Sequence, residues 1–182
     1  MLLIVAVAKP VVLVLMGVSG SGKSTVAGIL ADRLGWPFEE GDTLHPGSNI
    51  EKMSAGIPLA DADRELWLES VTEWVERRLD GAESGLITCS ALKRRYRDVI
   101  NRRGSGVLFV FLTGTSKTIG DRLAARVGHF MPSSLVDSQL SDLEDPQPDE
   151  PHIRVDTGRP PRAIATSILR ELELEELRAD DR

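Results

Sequence analysis

The segment Gly17-Val18-Ser19-Gly20-Ser21-Gly22-Lys23-Ser24 decides the fold of this chain, because it matches G-x-x-x-x-G-K-[ST] at every fixed position. The apolar run 11–16 precedes it, and a helical pattern from Thr25 onward follows it. This order of strand, glycine-rich turn and helix is the context in which the pattern binds phosphate. The glycines let several backbone N–H groups point at one anion, and the helix adds its positive N-terminal end. We therefore predict a nucleoside triphosphate site in which Lys23 reaches the β- and γ-phosphates and the Ser24 hydroxyl binds Mg²⁺. The predicted nucleotide contacts are Gly17, Val18, Ser19, Gly20, Ser21, Gly22, Lys23, Ser24 and Thr25.

The composition narrows the class of protein. A chain of 182 residues is long enough for one domain with a hydrophobic core. Its net charge of -6 argues against a general nucleic-acid binder. The single cysteine, Cys89, lies in an apolar run, so we expect a buried thiol and a reducing, cytoplasmic location. Residues 1–9 are apolar but lack a basic start and are interrupted by Lys9 and Pro10, which predicts an N-terminal extension rather than a signal peptide or a membrane span.

Short apolar runs alternate with helical patterns along the whole chain. The predicted strands are 11–16, 36–40, 86–89, 107–112 and 153–156. This alternation predicts an α/β fold, with a parallel sheet between two layers of helices, in a single domain spanning residues 1–182. Ligands collect at the carboxyl ends of parallel strands, so the phosphate loop, Glu40, Asp42, Ser90 and Asp156 should face one cleft. We also expect helices to begin at Ser90 and at Asp61, with Asp61 as the N-cap.

Asp42 is the first candidate for catalysis. It follows the second predicted strand, and a kinase needs a carboxylate that accepts or orients the proton of the acceptor hydroxyl. Glu40, two residues earlier, is a candidate ligand of Mg²⁺, and alternation along a strand would place both side chains on one face. A solvated acidic turn fits the same spacing.

The segment after Asp42 is rich in polar side chains. His45, Asn49, Lys52 and Arg64 offer donors and acceptors suited to a polyhydroxy ligand, although each alone also fits a structural or solvated role. Arg64 is suited to grip a carboxylate, or equally to form a surface ion pair.

Two basic groups occur later in the chain. Lys93 is predicted in the first turn of a helix, where a cation opposes the helix dipole, and a nearby anionic ligand would explain that position. Arg122 and Arg126 are spaced i, i+4 and share one helix face. They fit either a lid that delivers arginine to the transferred phosphoryl group or an ordinary basic helix end.

Four segments together resemble the gluconate kinases, a group of small P-loop kinases related to shikimate and adenylate kinases. They are residues 16–24, 41–46 with 49–53, 89–98, and 122–126 with 128–130. The run Gly41-Asp42-Thr43-Leu44-His45-Pro46 and the run Ser90-Ala91-Leu92-Lys93 are the more specific parts. The resemblance extends from about Val11 to the final helix.

The resemblance implies ATP-dependent phosphorylation of D-gluconate to 6-phosphogluconate by a nucleoside-monophosphate-kinase-like fold, in a family that often forms homodimers. It implies a substrate-binding insert at about 42–80 and a lid at about 122–140. It places Asp42 beside the acceptor hydroxyl, Arg122 and Arg126 in the lid, and Arg159 beside adenine. The expected substrate contacts are Asp42, His45, Asn49, Lys52, Arg64, Ser90, Lys93, Arg97 and His129. Glu40 stands where the family usually has aspartate.

Two other functions remain open at this point. One is a kinase of the same architecture that acts on shikimate, a nucleotide or another sugar acid. The other is a nucleotide-binding switch, which would hydrolyse ATP or GTP without regard to any sugar acid. Product analysis across acceptors separates the three.

Overall fold

The computed structural model describes residues 9–115, 118–120 and 133–180. The elements in chain order are β1 (Val12–Met16), α1 (Lys23–Leu34), β2 (Phe38–Glu40), a 3₁₀ turn (Gly41–Leu44), α2 (Gly47–Ser54), α3 (Asp61–Asp80), β3 (Gly85–Thr88), α4 (Arg94–Ile100), β4 (Val107–Thr113), α5 (Ser133–Asp142), β5 (His152–Asp156) and α6 (Pro161–Asp180). The predicted extension at residues 1–9 lies outside the described residues, apart from Lys9.

The five strands form one parallel sheet in the order β2-β3-β1-β4-β5, which confirms the predicted α/β class. β1 is central and completely buried, as expected for a continuous apolar run in a parallel sheet. Its carboxyl end leads into the phosphate loop, and the ends of β2 and β3 lie at the same edge of the sheet. That edge is where a ligand site is expected.

Alternation along β1 divides the core into two layers. Leu13 and Leu15 pack in a cluster with residues of α1 and α6, whereas Val12 and Val14 pack in a cluster with residues of α3 and α4. Successive side chains of a strand point to opposite faces, so both faces of the sheet are covered by helices. The predicted three-layer arrangement is therefore confirmed. Within the described part of the chain, no helix is both long and apolar enough to cross a bilayer.

Two predicted helix starts are wrong. The helix expected from Ser90 begins at Arg94, and Ala91 adopts a left-handed φ of 44° that no helix could contain. Asp61 is the first residue of α3 and not its N-cap, a position that Ala60 takes. The Ala60 backbone N–H donates to the Asp63 carboxylate at 2.9 Å, so capping comes from inside the helix.

Candidate active site

The phosphate loop adopts the conformation that its glycines predict. Gly17, Gly20 and Gly22 have φ values of 136°, 81° and 96°, in the region that favours glycine. A Cβ on Gly17 would lie 2.7 Å from the Leu112 carbonyl oxygen, so β4 also leaves no room there. The Lys23 Nζ donates to the Gly17 and Val18 carbonyl oxygens at 3.0 and 3.2 Å, which folds its side chain back over the loop. The loop and the start of α1 thus form a compact cradle for an anion.

Asp42 lies in the 3₁₀ turn after β2 and not on the strand itself. The prediction that strand alternation places Glu40 and Asp42 on one face is therefore wrong, because the strand ends at Glu40. Gly41 sets the turn instead, because its carbonyl oxygen accepts the Trp67 Nε1–H at 2.8 Å and its N–H donates to Thr88 Oγ1 at 3.2 Å. These bonds tie the turn to α3 and β3, and Asp42 reaches the same pocket as Lys23.

That pocket opens at the carboxyl edge of the sheet. Its lining includes Lys23, Asp42, His45, Arg64, Ser90 and Gln139. The Ser90 carbonyl oxygen accepts the Gly17 N–H at 3.2 Å, which joins the end of β3 to the phosphate loop. The site therefore places a phosphate-binding cation and a carboxylate in one cleft, as phosphoryl transfer to a hydroxyl requires.

Glu40 has a protein partner at the end of β2. Its Oε1 accepts a hydrogen bond from Thr88 Oγ1, the residue opposite it in the register of β2 and β3. The strand pairing thus fixes the position of this carboxylate. Its role towards a metal stays a prediction.

His45 lines the pocket and is held there by packing and by Asn49. Its ring stacks on Trp67 with centroids 4.3 Å apart and an interplanar angle of 12°. Asn49 Nδ2 lies 3.3 Å from His45 Nδ1, and the same amide donates to the Asp63 carbonyl oxygen at 2.6 Å. An amide nitrogen only donates, so Nδ1 accepts and the ring proton belongs on Nε2.

Burial lowers the pKa of His45 to about 4, and Arg64 acts in the same direction while Asp42 opposes the shift. The imidazole is therefore neutral near pH 7. Asn49 and Lys52, predicted as substrate contacts, hold the insert together. Asn49 is 2% exposed, and Lys52 Nζ lies 2.5 Å from Asp63 Oδ1.

Arg64 and Lys93 both lie close to the Tyr96 ring. The Arg64 Cζ lies 5.7 Å and the Lys93 Nζ lies 5.8 Å from the centroid of that ring. Arg64 Nε and Nη2 donate to the Leu59 carbonyl oxygen at 3.3 and 3.2 Å. Lys93 is the N-cap of α4 and not a residue of its first turn, so the predicted position is wrong, although the side chain still starts at the positive end of the helix.

Carboxylates surround the Lys93 ammonium. Its Nζ lies 3.4 Å from Asp61 Oδ1 and 3.2 Å from Asp142 Oδ1. Burial on its own would lower the pKa of Lys93, but the hydrogen bond to Asp142, with Tyr96 and Asp61, raises that pKa overall. Asp61 also accepts hydrogen bonds from Tyr96 and Arg95. The Tyr96 bond is the largest cause that lowers the pKa of Asp61 to about 2.

Arg97, predicted as a substrate contact, has a structural role. It is 1% exposed and forms an ion pair with Glu150, with Nε 2.5 Å from Oε2. Its Nη1 donates to the carbonyl oxygens of Ala91, Leu92 and Glu144. The guanidinium therefore holds the loop before β5 against the segment before α4. We withdraw Arg97 from the substrate contacts.

Other predicted site residues are placed apart from the pocket or are not described. Arg122, Arg126 and His129 lie outside the described residues. Arg159 follows β5, and its Nη2 donates to Ser167 Oγ at 3.0 Å. Its predicted contact with adenine stays a prediction.

Sequence reasoning missed Gln139 on α5. Its Oε1 accepts the Ser19 backbone N–H at 2.7 Å, and it lines the pocket with Ser138. No motif marks Gln139, because the two bonded residues are separated by 120 positions.

A parallel five-stranded sheet with this phosphate loop and this pocket defines a small P-loop kinase. Residues 19–173 match the family model described as shikimate kinase. The chain is 47% identical to the gluconokinase of Gluconobacter oxydans over 92% of this chain and 94% of the relative. It is 46% identical to the thermosensitive gluconokinase of Escherichia coli over 79% and 77% of the two chains. The crystal structure of a gluconokinase from Sinorhizobium meliloti superposes with a TM-score of 0.84 at 45% identity, covering 96% of this chain and 99% of that one. The chain belongs to the gluconokinase family.

Proposed function

We propose that this protein transfers the terminal phosphoryl group of ATP to the terminal hydroxyl of D-gluconate, producing 6-phosphogluconate. The observation that carries the proposal is the shared pocket of Lys23 and Asp42, in a chain closely similar to gluconokinases. Gluconate has one carboxylate and several hydroxyls. In the same pocket, Arg64 can pair with the carboxylate, and the Nε2–H of His45 can donate a hydrogen bond to a hydroxyl.

Asp42 is positioned to act on the acceptor hydroxyl. Its carboxylate accepts the hydroxyl proton while the acceptor oxygen bonds to phosphorus and the bond from phosphorus to the leaving oxygen breaks. Lys23 moves from its loop carbonyls to the phosphate oxygens and stabilises the charge that develops there. Arg122 and Arg126 stay predicted lid residues with the same electrostatic task.

The donor set suits Mg²⁺ bound mainly through the nucleotide. Among residues 9–115, 118–120 and 133–180, no three or more His, Cys, Asp and Glu side chains converge as a metal cluster. Mg²⁺ in kinases commonly takes one or two protein oxygens and completes its shell with phosphates and water. The Ser24 hydroxyl and the Glu40 carboxylate are hard oxygen donors of that kind. A bound Mg²⁺ would neutralise phosphate charge during transfer.

The test is ATP-dependent turnover with gluconate, shikimate, gluconolactone, glucose and AMP, with the product identified. Turnover with gluconate alone supports the proposal. Shikimate is the second candidate because of the family model that matches residues 19–173. Preferred turnover of shikimate would reassign the acceptor pocket, and hydrolysis that ignores every acceptor would favour a switch.

The Asp42→Asn variant tests the mechanism. We expect its kcat to fall by about 10²–10⁴-fold, because the amide cannot accept the hydroxyl proton. Nucleotide affinity should stay near the wild-type value, since Asp42 faces the acceptor. Asp137→Asn, at an exposed position of α5, is the matched control and should keep full activity. Full turnover by Asp42→Asn would remove this carboxylate from the mechanism.

We infer a cytoplasmic location from the use of ATP and from the single, buried Cys89. A homodimer is the assembly that the resemblance implies. Light scattering at micromolar concentration tests it, and a monomeric mass would contradict it.

A further inference from the structure

Helix α5 lines the pocket through Ser138 and Gln139, and it has anchoring contacts that do not involve Asp142. Gln139 accepts the Ser19 N–H at 2.7 Å, and the Glu144 N–H donates to the Leu92 carbonyl oxygen at 2.8 Å just after the helix. Leu140 and Leu143 pack against a small cluster formed by Val18, Leu92 and Ile119. A change in the charge of Asp142 should therefore leave the helix in place.

Asp142 pairs with two cations: Arg64, which lines the pocket, and Lys93, which shares the Tyr96 ring with Arg64. Its Oδ1 lies 3.2 Å from Lys93 Nζ, and its Oδ2 lies 4.0 Å from Arg64 Nη2. Lys93 and Arg64 are largely buried, with side chains 19% and 10% exposed, while the Asp142 side chain is 33% exposed. The carboxylate is thus more accessible to water than either of the two cations.

We propose that Asp142 is a specificity-determining residue that competes with the carboxylate of the acceptor for Lys93 and Arg64. This inference rests on the proposed function, which supplies an acceptor with one carboxylate. A second carboxylate that approaches these cations meets a like charge unless Asp142 turns away. This competition between the two carboxylates lowers the affinity for the acceptor, and it lowers the affinity further for acceptors that carry more negative charge.

The experiment compares Asp142→Asn with the wild-type protein by calorimetric titration of gluconate. Removing one competing charge should lower the Kd for gluconate by about twofold to fivefold, in the range of exposed ion pairs. The KM for gluconate at saturating ATP should fall by a similar factor. Asp142→Ala should give the same direction of change, because the charge and not the amide is the cause. Asp137→Asn removes the same charge from an exposed position of α5 and should leave the Kd unchanged.

A Lys93→Gln background makes the test specific. There the gain from Asp142→Asn should shrink, because one of the two contested cations is gone. An unchanged or raised Kd in Asp142→Asn, or a gain of equal size in the Lys93→Gln background, would overturn the inference. These results leave the proposed function intact if the wild-type protein phosphorylates gluconate. A wild-type protein that neither binds nor phosphorylates gluconate would overturn both.

Discussion

A single methyl group at Gly41 should disrupt both the fold and the active site. A Cβ built there lies 1.9 Å from the Thr88 carbonyl oxygen, far inside van der Waals contact. Thr88 is paired with Leu15 of β1 and with Glu40 of β2, so the sheet prevents this oxygen from moving alone. The turn must shift instead, which strains the bond from Trp67 Nε1 to the Gly41 carbonyl oxygen.

The expected cost follows from these contacts. Overpacking a well-packed site costs about 1–3 kcal/mol, and a lost buried hydrogen bond costs about 1 kcal/mol more. We therefore expect Gly41→Ala to lower the free energy of unfolding by about 2–4 kcal/mol. Asp42, the proposed catalytic carboxylate, is the next residue, and a misplacement of a catalytic group by about 1 Å can cost about 10²-fold in rate.

Urea unfolding and turnover with gluconate measure the two effects. Gly28→Ala is the matched control, because a Cβ at that position of α1 meets no atom within 4 Å. That variant should gain about 0.5–1 kcal/mol of stability from higher helix propensity and keep its activity. Wild-type stability and turnover in Gly41→Ala would refute the argument that the Thr88 contact dictates glycine here.

Two further predictions concern buried side chains. Because burial lowers the pKa of His45 to about 4 from 6.5, the unfolded chain binds this proton more tightly, and stability falls as the pH drops from about 6.5 towards 4. His45→Gln should lose less stability than the wild-type protein between pH 7 and pH 5 in urea unfolding, and equal losses would contradict the assigned burial. Arg97→Met leaves the Glu150 carboxylate buried without its partner, so we expect a loss of about 3–5 kcal/mol in the free energy of unfolding. Arg102→Met, which removes a solvent-exposed ion-paired arginine, should cost far less, and a similar loss in both variants would contradict the special role of the buried pair.

The sheet and the phosphate loop could be predicted because their determinants are local. The run of β1 is apolar at every position, and the glycines of the loop follow it directly. Each of these features spans only a few residues, so a hydrophobic pattern or a short motif is enough to recognise it. The start of α4 was predicted wrongly because no local feature marks it. The left-handed φ that delays the helix falls on Ala91, where a glycine would have indicated it.

The roles of the basic residues could not be separated from the sequence. Lys93 and Arg97 stand four positions apart in one cluster, and both were expected to contact the substrate. What divides them is the location of the nearest carboxylates. Arg97 pairs with Glu150, which lies 53 positions away in the sequence and is 7% exposed. The charge of Arg97 is therefore neutralised within a buried ion pair. Lys93 meets Asp61 and Asp142, whose side chains are 47% and 33% exposed. A buried partner makes a cation part of the scaffold, whereas a partner that can be displaced leaves the cation available to a ligand.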